Sequence, residues 1–409
     1  MLAIHGGEPV LKQNIPAWPQ VSDIDREMLK DTLLSGDYSS GKLRKQFEET
    51  FAKDCGVAHC FAVANGTVSL ELLLRGFGIG RGDEVILPPY TFIATLSSIV
   101  FAGATPVFAD IDDSNYLISP ASVEEKITEK TRAIVAVAVA GCPPELDALE
   151  EIAHRHGVKL IVDAAQGVGA EWRGKSICAY GDAASISCQN SKNLTSGEGG
   201  IITTNDDVLA KNLEWMLSGG KEDGKYVSVA QDHRITELQA SILLSQYSKL
   251  AREVVLRDKN AAYLAGRLKG LGFVEHLAYD ERITTHAYHL FLMRFKKDVL
   301  TKKGITRDQF IKALVAEGVP ICSGYAPLYT FPCVTSRDTE RMIGAKIDVT
   351  PLPVCDRASF EEGSWMGQAV LLSDRKTLDG IVDAIIKVWN TPTNSKPCKE
   401  GEEWICKKD

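Results

Sequence analysis

The chain has 409 residues, 44% of them hydrophobic and 24% charged, with a formal net charge of -8. This is the composition of a globular protein long enough for two domains, and an acidic chain with no strongly basic segment excludes a nucleic acid held by charge. No apolar run reaches the roughly 18 residues of a membrane span, and the start, MLAIHGGEPVLKQ, has none of the regions of a signal peptide, so a cytoplasmic protein without a membrane partner is expected.

Residues 1–20 are punctuated by Gly and Pro and contain PAWP, which predicts an extended arm. Residues 23–35 repeat apolar positions at helical spacing behind Ser22 as a possible N-cap, and 42–54 form a second amphipathic helix. Beyond them the pattern alternates. Short apolar runs at 60–64, 84–90, 105–111, 133–140, 158–165, 182–188 and 200–206 read as strands. Helical segments at 68–78, 91–103, 122–127 and 146–157 lie between them, the last ending in Gly157. Strands apolar on both faces and alternating with helices predict an α/β fold with a mostly parallel, doubly covered sheet.

From 207 to about 265 the chain reads as helical, with one stretch long enough to be a spine. An alternating segment at 286–295 and helices at 307–318 and 377–390 then predict a smaller α+β domain. The expected division is 1–250 for the arm and a large domain, 251–390 for the small domain, and 391–409 for a tail. Ten cysteines are scattered without a framework and read as reduced thiols. Cys398 and Cys406 stand in the charged tail; two are too few for a closed zinc site, and no metal is expected.

Ligands of open parallel sheets bind beyond the carboxyl ends of the strands. Asp163 ends one strand; its carboxylate either caps the next turn or faces a cationic group of a ligand. Gly66 and Thr67 stand between a strand and a helix, where N–H groups and a hydroxyl suit a phosphate or form a simple cap. Ser187 and Lys192 lie just past another strand, in SCQNSKNLTSGEGG (187–200). Lys192 is either an ordinary loop lysine or an amine presented by a tightly turning backbone. Taken together, the three features suit pyridoxal phosphate. Its aldehyde forms a Schiff base with a lysine, its ring nitrogen pairs with a carboxylate, and its phosphate needs a helix start and hydroxyls.

These stretches carry a resemblance. NGT (65–67), GDEVILPPYTFIAT (82–95), GATPVFADID (103–112), VDAAQGVGA (162–170) and SCQNSKNLTSGEGG are similar to the DegT/StrS-type sugar aminotransferases of fold type I, over roughly residues 10–385. The QNxK…GEGG form is closest to the branch of scyllo-inosose aminotransferases and 3-amino-5-hydroxybenzoate synthase.

The resemblance implies a large cofactor domain and a smaller C-terminal one. It implies that Lys192 is the Schiff-base lysine and proton shuttle, and that Asp163 pairs the pyridinium nitrogen. By the same likeness Phe92 stacks on the ring, Gly66, Thr67 and Ser187 hold the phosphate, and Gln166 lies near the cofactor's 3-oxygen. Two departures stand out. Ala138 occupies a position where the family often has His, so no role carries over. Asp232 falls where the family places an Asn that reaches a partner chain's phosphate, leaving Arg234 or His233 to compensate it; Arg234 is a weaker phosphate or substrate candidate. Tyr325, His286 and His289 are acceptor-site candidates, and Cys188 reads as a packing thiol. The function implied is transfer of an amino group from glutamate or glutamine to a keto-cyclitol or keto-sugar, in a homodimer with shared sites. The alternatives are a nucleotide-linked keto-sugar aminotransferase and a regulatory protein that holds the cofactor without turnover.

Overall fold

The computed structural model describes residues 1–12, 15–227, 229–277 and 279–391. Cys398 and Cys406 therefore lie outside the described residues.

Seven strands form the main sheet: β1 (His59–Val63), β2 (Glu84–Leu87), β3 (Thr105–Phe108), β4 (Thr131–Val137), β5 (Lys159–Asp163), β6 (Ala183–Ser187) and β7 (Gly200–Thr204). Their order is β1-β7-β6-β5-β4-β2-β3. β3, β2, β4, β5 and β6 pair in parallel, while β7 runs antiparallel to both β6 and β1. β1 consequently points the same way as β5 and β6, and the carboxyl ends of all three share one edge. Register sharpens this: Val63, Gly200 and Ser187 stand abreast, and Asp163 stands between Val137 and Ser185.

Helices cover both faces. The main ones are α1 (Asp23–Ser35), α2 (Lys42–Cys55), α3 (Gly66–Gly76), α4 (Ile93–Ala102), α5 (Pro120–Lys126), α6 (Leu146–His156), α7 (Asp207–Leu217) and α8 (Glu237–Leu268). The period-2 alternation of strands sorts side chains between two cores. Ile161 joins a cluster with Leu70, Leu73, Leu96, Ile99 and Leu213 of α3, α4 and α7. Its neighbour Val162 points the other way, to Phe47, Phe51 and Leu250 of α2 and α8. Ser22 does start α1, with the Asp25 carboxylate accepting from both its N–H and its hydroxyl at 2.6 Å.

A second, antiparallel sheet orders the strands Val274–His276, Leu290–Phe295, Gly363–Gly367 and Ile321–Ser323. Its core takes in the end of α8 and the helices Arg307–Ala316 and Arg375–Asn390. Leu2 and Leu11 of the N-terminal arm also pack in this core. Buried Glu317 fastens the arm: its carboxylate accepts from the N–H groups of Ala3 and Val10 and from Lys387 Nζ at 2.8–3.0 Å. The expected strand at 286–295 begins only at Leu290. His286 Nδ1 accepts the Tyr288 N–H at 2.8 Å and Tyr288 is left-handed (φ 48°), so that stretch is turned and cannot join the ladder.

Candidate active site

Asp163 closes β5 and is 3% exposed. Its Oδ2 accepts from the Thr95 hydroxyl at 2.9 Å and its Oδ1 from the Ala165 N–H at 3.1 Å. Burial pushes this carboxyl above its ordinary range, while those two bonds and the charge of Lys192 pull it back. A buried carboxylate held by neutral donors is stabilised when a cation is placed against it.

The cradle beside it is fixed by close approach. α3 begins at Gly66, two residues earlier than the apolar pattern of 68–78 suggests. Asn65 caps it: Oδ1 accepts from the Val68 N–H at 2.9 Å and the Asn65 carbonyl from the Ser69 N–H at 3.1 Å. The N–H groups of Gly66 and Thr67 stand ahead of these two. A Cβ built on Gly66 would lie 2.7 Å from Ser187 Cβ, so only glycine lets the helix start meet the end of β6. A Cβ on Gly200 would lie 2.4 Å from the Asn65 carbonyl oxygen. In GEGG, then, Gly197 supplies the left-handed turn (φ 83°), and Gly200 supplies the close approach. The hydroxyl of Ser69 donates to the Gly66 carbonyl at 2.7 Å and also bonds the Ser185 hydroxyl, locking α3 to β6.

Lys192 is half-buried, and its charge acts on both Asp163 and His289. Its loop is held from three directions. Trp18 Nε1 donates to the Asn190 carbonyl at 3.0 Å, Gln368 Nε2 to the Ser191 carbonyl at 3.3 Å, and Asn193 Nδ2 to the Ala287 carbonyl at 2.7 Å. None of these three side chains, nor Thr95 and Asn65, stands among the residues singled out from sequence. Thr95 was within reach, one helical turn beyond Phe92 in the TFIAT motif. Trp18 and Gln368 come from opposite ends of the chain and leave no local signal.

Phe92 is the N-cap of α4 and 49% exposed, so its ring is not taken up in the core. His289 is buried with Nδ1 3.3 Å from Asn193 Oδ1; burial and then the Lys192 charge hold it far below the usual histidine range, so it is neutral. His286 lies elsewhere: its ring stacks on Tyr288 at 3.7 Å and packs on Tyr279 rather than on Lys192 or Asp163. Gln166 spends its amide inside the chain, Oε1 accepting from the Ala140 N–H at 2.8 Å and Nε2 donating to the Tyr325 hydroxyl at 3.1 Å. Tyr325 thus reaches the carboxyl end of β5.

Arg234 is paired with Asp232, Nη2 to Oδ2 at 2.5 Å and Nε to Oδ1 at 2.8 Å, and holds that carboxyl below its usual range. The segment crosses the end of β1, where Ala64 N–H donates to the His233 carbonyl at 2.6 Å and Val63 bridges Arg234. Ala138 packs in the apolar core, and a Cβ on Gly167 would come within 2.9 Å of its Cβ. Cys188 is buried in the same core, which pushes its thiol far up. Among the described residues, no helix is long and apolar enough to cross a membrane.

Comparison with known proteins converges on one group. Over 417 residues the chain is 35% identical to an L-glutamine:2-deoxy-scyllo-inosose aminotransferase of Streptoalloteichus tenebrarius, covering 95% of this chain and 97% of the relative. It is 33% identical over 420 residues to the L-glutamine:scyllo-inosose aminotransferase of Streptomyces griseus, with the same coverage. The crystal structure of 3-amino-5-hydroxybenzoic acid synthase superposes with a TM-score of 0.84 at 29% identity, over 94% of this chain and 99% of that one. The model of the DegT/DnrJ/EryC1/StrS aminotransferase family matches residues 19–347. The chain belongs to the DegT/DnrJ/EryC1/StrS aminotransferase family.

Proposed function

We propose that this aminotransferase uses pyridoxal phosphate to move the amino group of glutamine to a keto-cyclitol. The observation that carries the cofactor is the convergence, at one edge of the sheet, of buried Asp163, Lys192 and the Gly66–Ser187 cradle. The residues fit the group. Asp163 holds only neutral hydrogen-bond donors and would take the cationic ring nitrogen. The start of α3 with Thr67 and the Ser187 hydroxyl would take the phosphate. Half-exposed Phe92 offers a ring face. The cyclitol acceptor and glutamine donor follow from what the relatives at 33% and 35% identity act on by name.

Bound there, the cofactor supplies an electrophilic carbon and an electron-withdrawing ring that acidifies the bond to be broken. The chain does the rest. The Asp163 carboxylate keeps the ring nitrogen's proton in place. The Lys192 amine would hold the cofactor as a nucleophile and would serve as the base and acid that moves a proton at the substrate carbon. Trp18, Gln368 and Asn193 fix the backbone on either side of that amine. His289, held far below the usual histidine range by burial, is too weak a base to compete for the proton. Transfer runs as two half-reactions, donor first and acceptor second. We propose further that the active unit is a homodimer, in which the segment around Asp232 and Arg234 meets the other copy's cradle.

The test is direct. The protein with pyridoxal phosphate, L-glutamine and scyllo-inosose should form the aminated cyclitol, and the bound cofactor's visible absorbance should bleach with glutamine alone. Lys192→Ala should abolish both. Donor deamination by Lys192→Ala at the normal rate would sink the proposal.

A further inference from the structure

Gln166 carries an orientation that chemistry fixes. A backbone N–H can only donate, so the atom 2.8 Å from Ala140 N is the amide oxygen of Gln166. Its NH₂ therefore faces Tyr325 at 3.1 Å, and the Tyr325 oxygen is the acceptor of that bond. The hydroxyl proton of Tyr325 must then point away from Gln166.

The backbone is bent to make this so. Ala140 is left-handed (φ 62°, ψ 3°), a conformation that costs a non-glycine residue about 1–2 kcal/mol. Gly141 follows at φ 88°, where a Cβ would lie 2.8 Å from Tyr288 N and 2.9 Å from the Gln166 carbonyl oxygen. This turn closes β4 beside Asp163 and aims the Ala140 N–H at Gln166. The Tyr325 ring is held edge-on between Tyr90, 5.6 Å away, and Trp365, 4.4 Å away. Burial pushes its hydroxyl up to about 12, so the proton stays on at neutral pH.

We propose that Ala140, Gln166 and Tyr325 form a hydrogen-bond chain of fixed polarity that offers the Tyr325 O–H, as a donor only, to an acceptor oxygen of the bound ligand. That oxygen belongs to the cofactor ring in its ionised form or to the keto group of the amino acceptor; both accept and carry no proton to donate. Gln166 is a positioning residue and does not itself need to reach the ligand. The inference rests on the amino-transfer reading of the site and specifies its polarity.

Tyr325→Phe and Gln166→Glu test it in the loaded, full-length protein, with thermal midpoints as the folding control. If the oxygen is the cofactor's, Tyr325→Phe shifts the pH titration of the visible absorbance by about one unit and weakens pyridoxal phosphate about 10-fold. If it is the acceptor's, the titration stays put and kcat/KM for the keto-cyclitol falls about 10- to 100-fold, with the glutamine half-reaction unchanged. Gln166→Glu is the sharper probe. Protonated, the new carboxyl copies the amide; ionised, it accepts from both neighbours and turns the Tyr325 O–H toward itself, away from the ligand. Whichever readout Tyr325→Phe moved should therefore acquire a new pH dependence in Gln166→Glu, wild-type-like at low pH and lost as pH rises. The double variant should lack that dependence. Tyr325→Phe moving neither readout, or the new dependence persisting in the double variant, would overturn the proposal. Failure of the wild type to transfer from glutamine would refute the proposed function, while the visible titration and cofactor affinity would still test the chain's polarity.

Discussion

Replacing Gly66 with Ala separates two opposed effects of known sign. Gly66 has ordinary helical backbone, and by propensity alone Ala in a helix is favoured over Gly by up to about 1 kcal/mol. Propensity thus predicts a more stable protein. The structure predicts the reverse. The new Cβ would sit 2.7 Å from Ser187 Cβ, 3.0 Å from Ser187 Cα and 3.1 Å from its Oγ. Carbon atoms at rest are about 3.5–4.0 Å apart, so the start of α3 and the end of β6 must part by nearly 1 Å. Overpacking of this kind costs about 1–3 kcal/mol. Two of the three atoms are backbone or Cβ and cannot rotate away. The expected net is a loss of about 1–2 kcal/mol, read in a chain of 409 residues as a fall of about 1–2 °C in thermal midpoint. Because the parted edges are the cradle itself, affinity for pyridoxal phosphate, measured by fluorescence titration, should fall by about 10-fold or more. Ser187→Gly removes the obstructing Cβ, so the double variant Gly66→Ala/Ser187→Gly should be less destabilised than the sum of the singles. Gly66→Ala with an equal or higher midpoint and unchanged cofactor affinity would refute the close-approach argument.

Asp163→Asn keeps the shape but leaves no charge for a cation; amino transfer, assayed by product formation, should fall at least about 100-fold. Trp18→Phe keeps a ring against buried Arg257 but loses the donor to the Asn190 carbonyl, so the glutamine half-reaction should slow several-fold, with a stability change near 1 kcal/mol by urea titration. Acid should destabilise the fold. His276, held down to about 4 by burial, and His286 and His289, held well below their usual value, bind fewer protons folded than unfolded. Their contribution is present above about pH 6.5 and is lost as pH falls below it, by about 1.4 kcal/mol per unit for each group that stays neutral. Asp163 and Glu48, pushed up by burial, act in the opposite direction at lower pH. Urea midpoints between about pH 7 and 5 that fail to fall, or that fall as steeply in His276→Gln, would contradict this. Asp232→Asn frees an exposed ion pair and should change monomer stability by less than about 1 kcal/mol. An effect on cofactor affinity that vanishes on dilution would place this segment at a second copy's site.

By itself the sequence determined the parts that follow from short stretches. Strands apolar on both faces must be covered twice, so the parallel sheet was legible from 60 to 206. Asp163, Gly66–Thr67 and Ser187–Lys192 each sit where a strand gives way to a turn, and all such ends on parallel strands meet at one edge. The tertiary structure decided what depends on direction and on distant partners. His286 and His289 are three residues apart in one segment, yet the left-handed turn at Tyr288 sends one into an aromatic cluster and the other toward Asn193. Trp18 and Gln368 reach the Lys192 loop from 172 and 177 residues away, a separation that no periodicity encodes. Gln166 stands in the VDAAQ stretch that the sequence singled out, but only the fold shows that its amide oxygen accepts from the Ala140 N–H and its NH₂ donates to Tyr325. Which way a hydrogen bond runs is set by what lies across the fold.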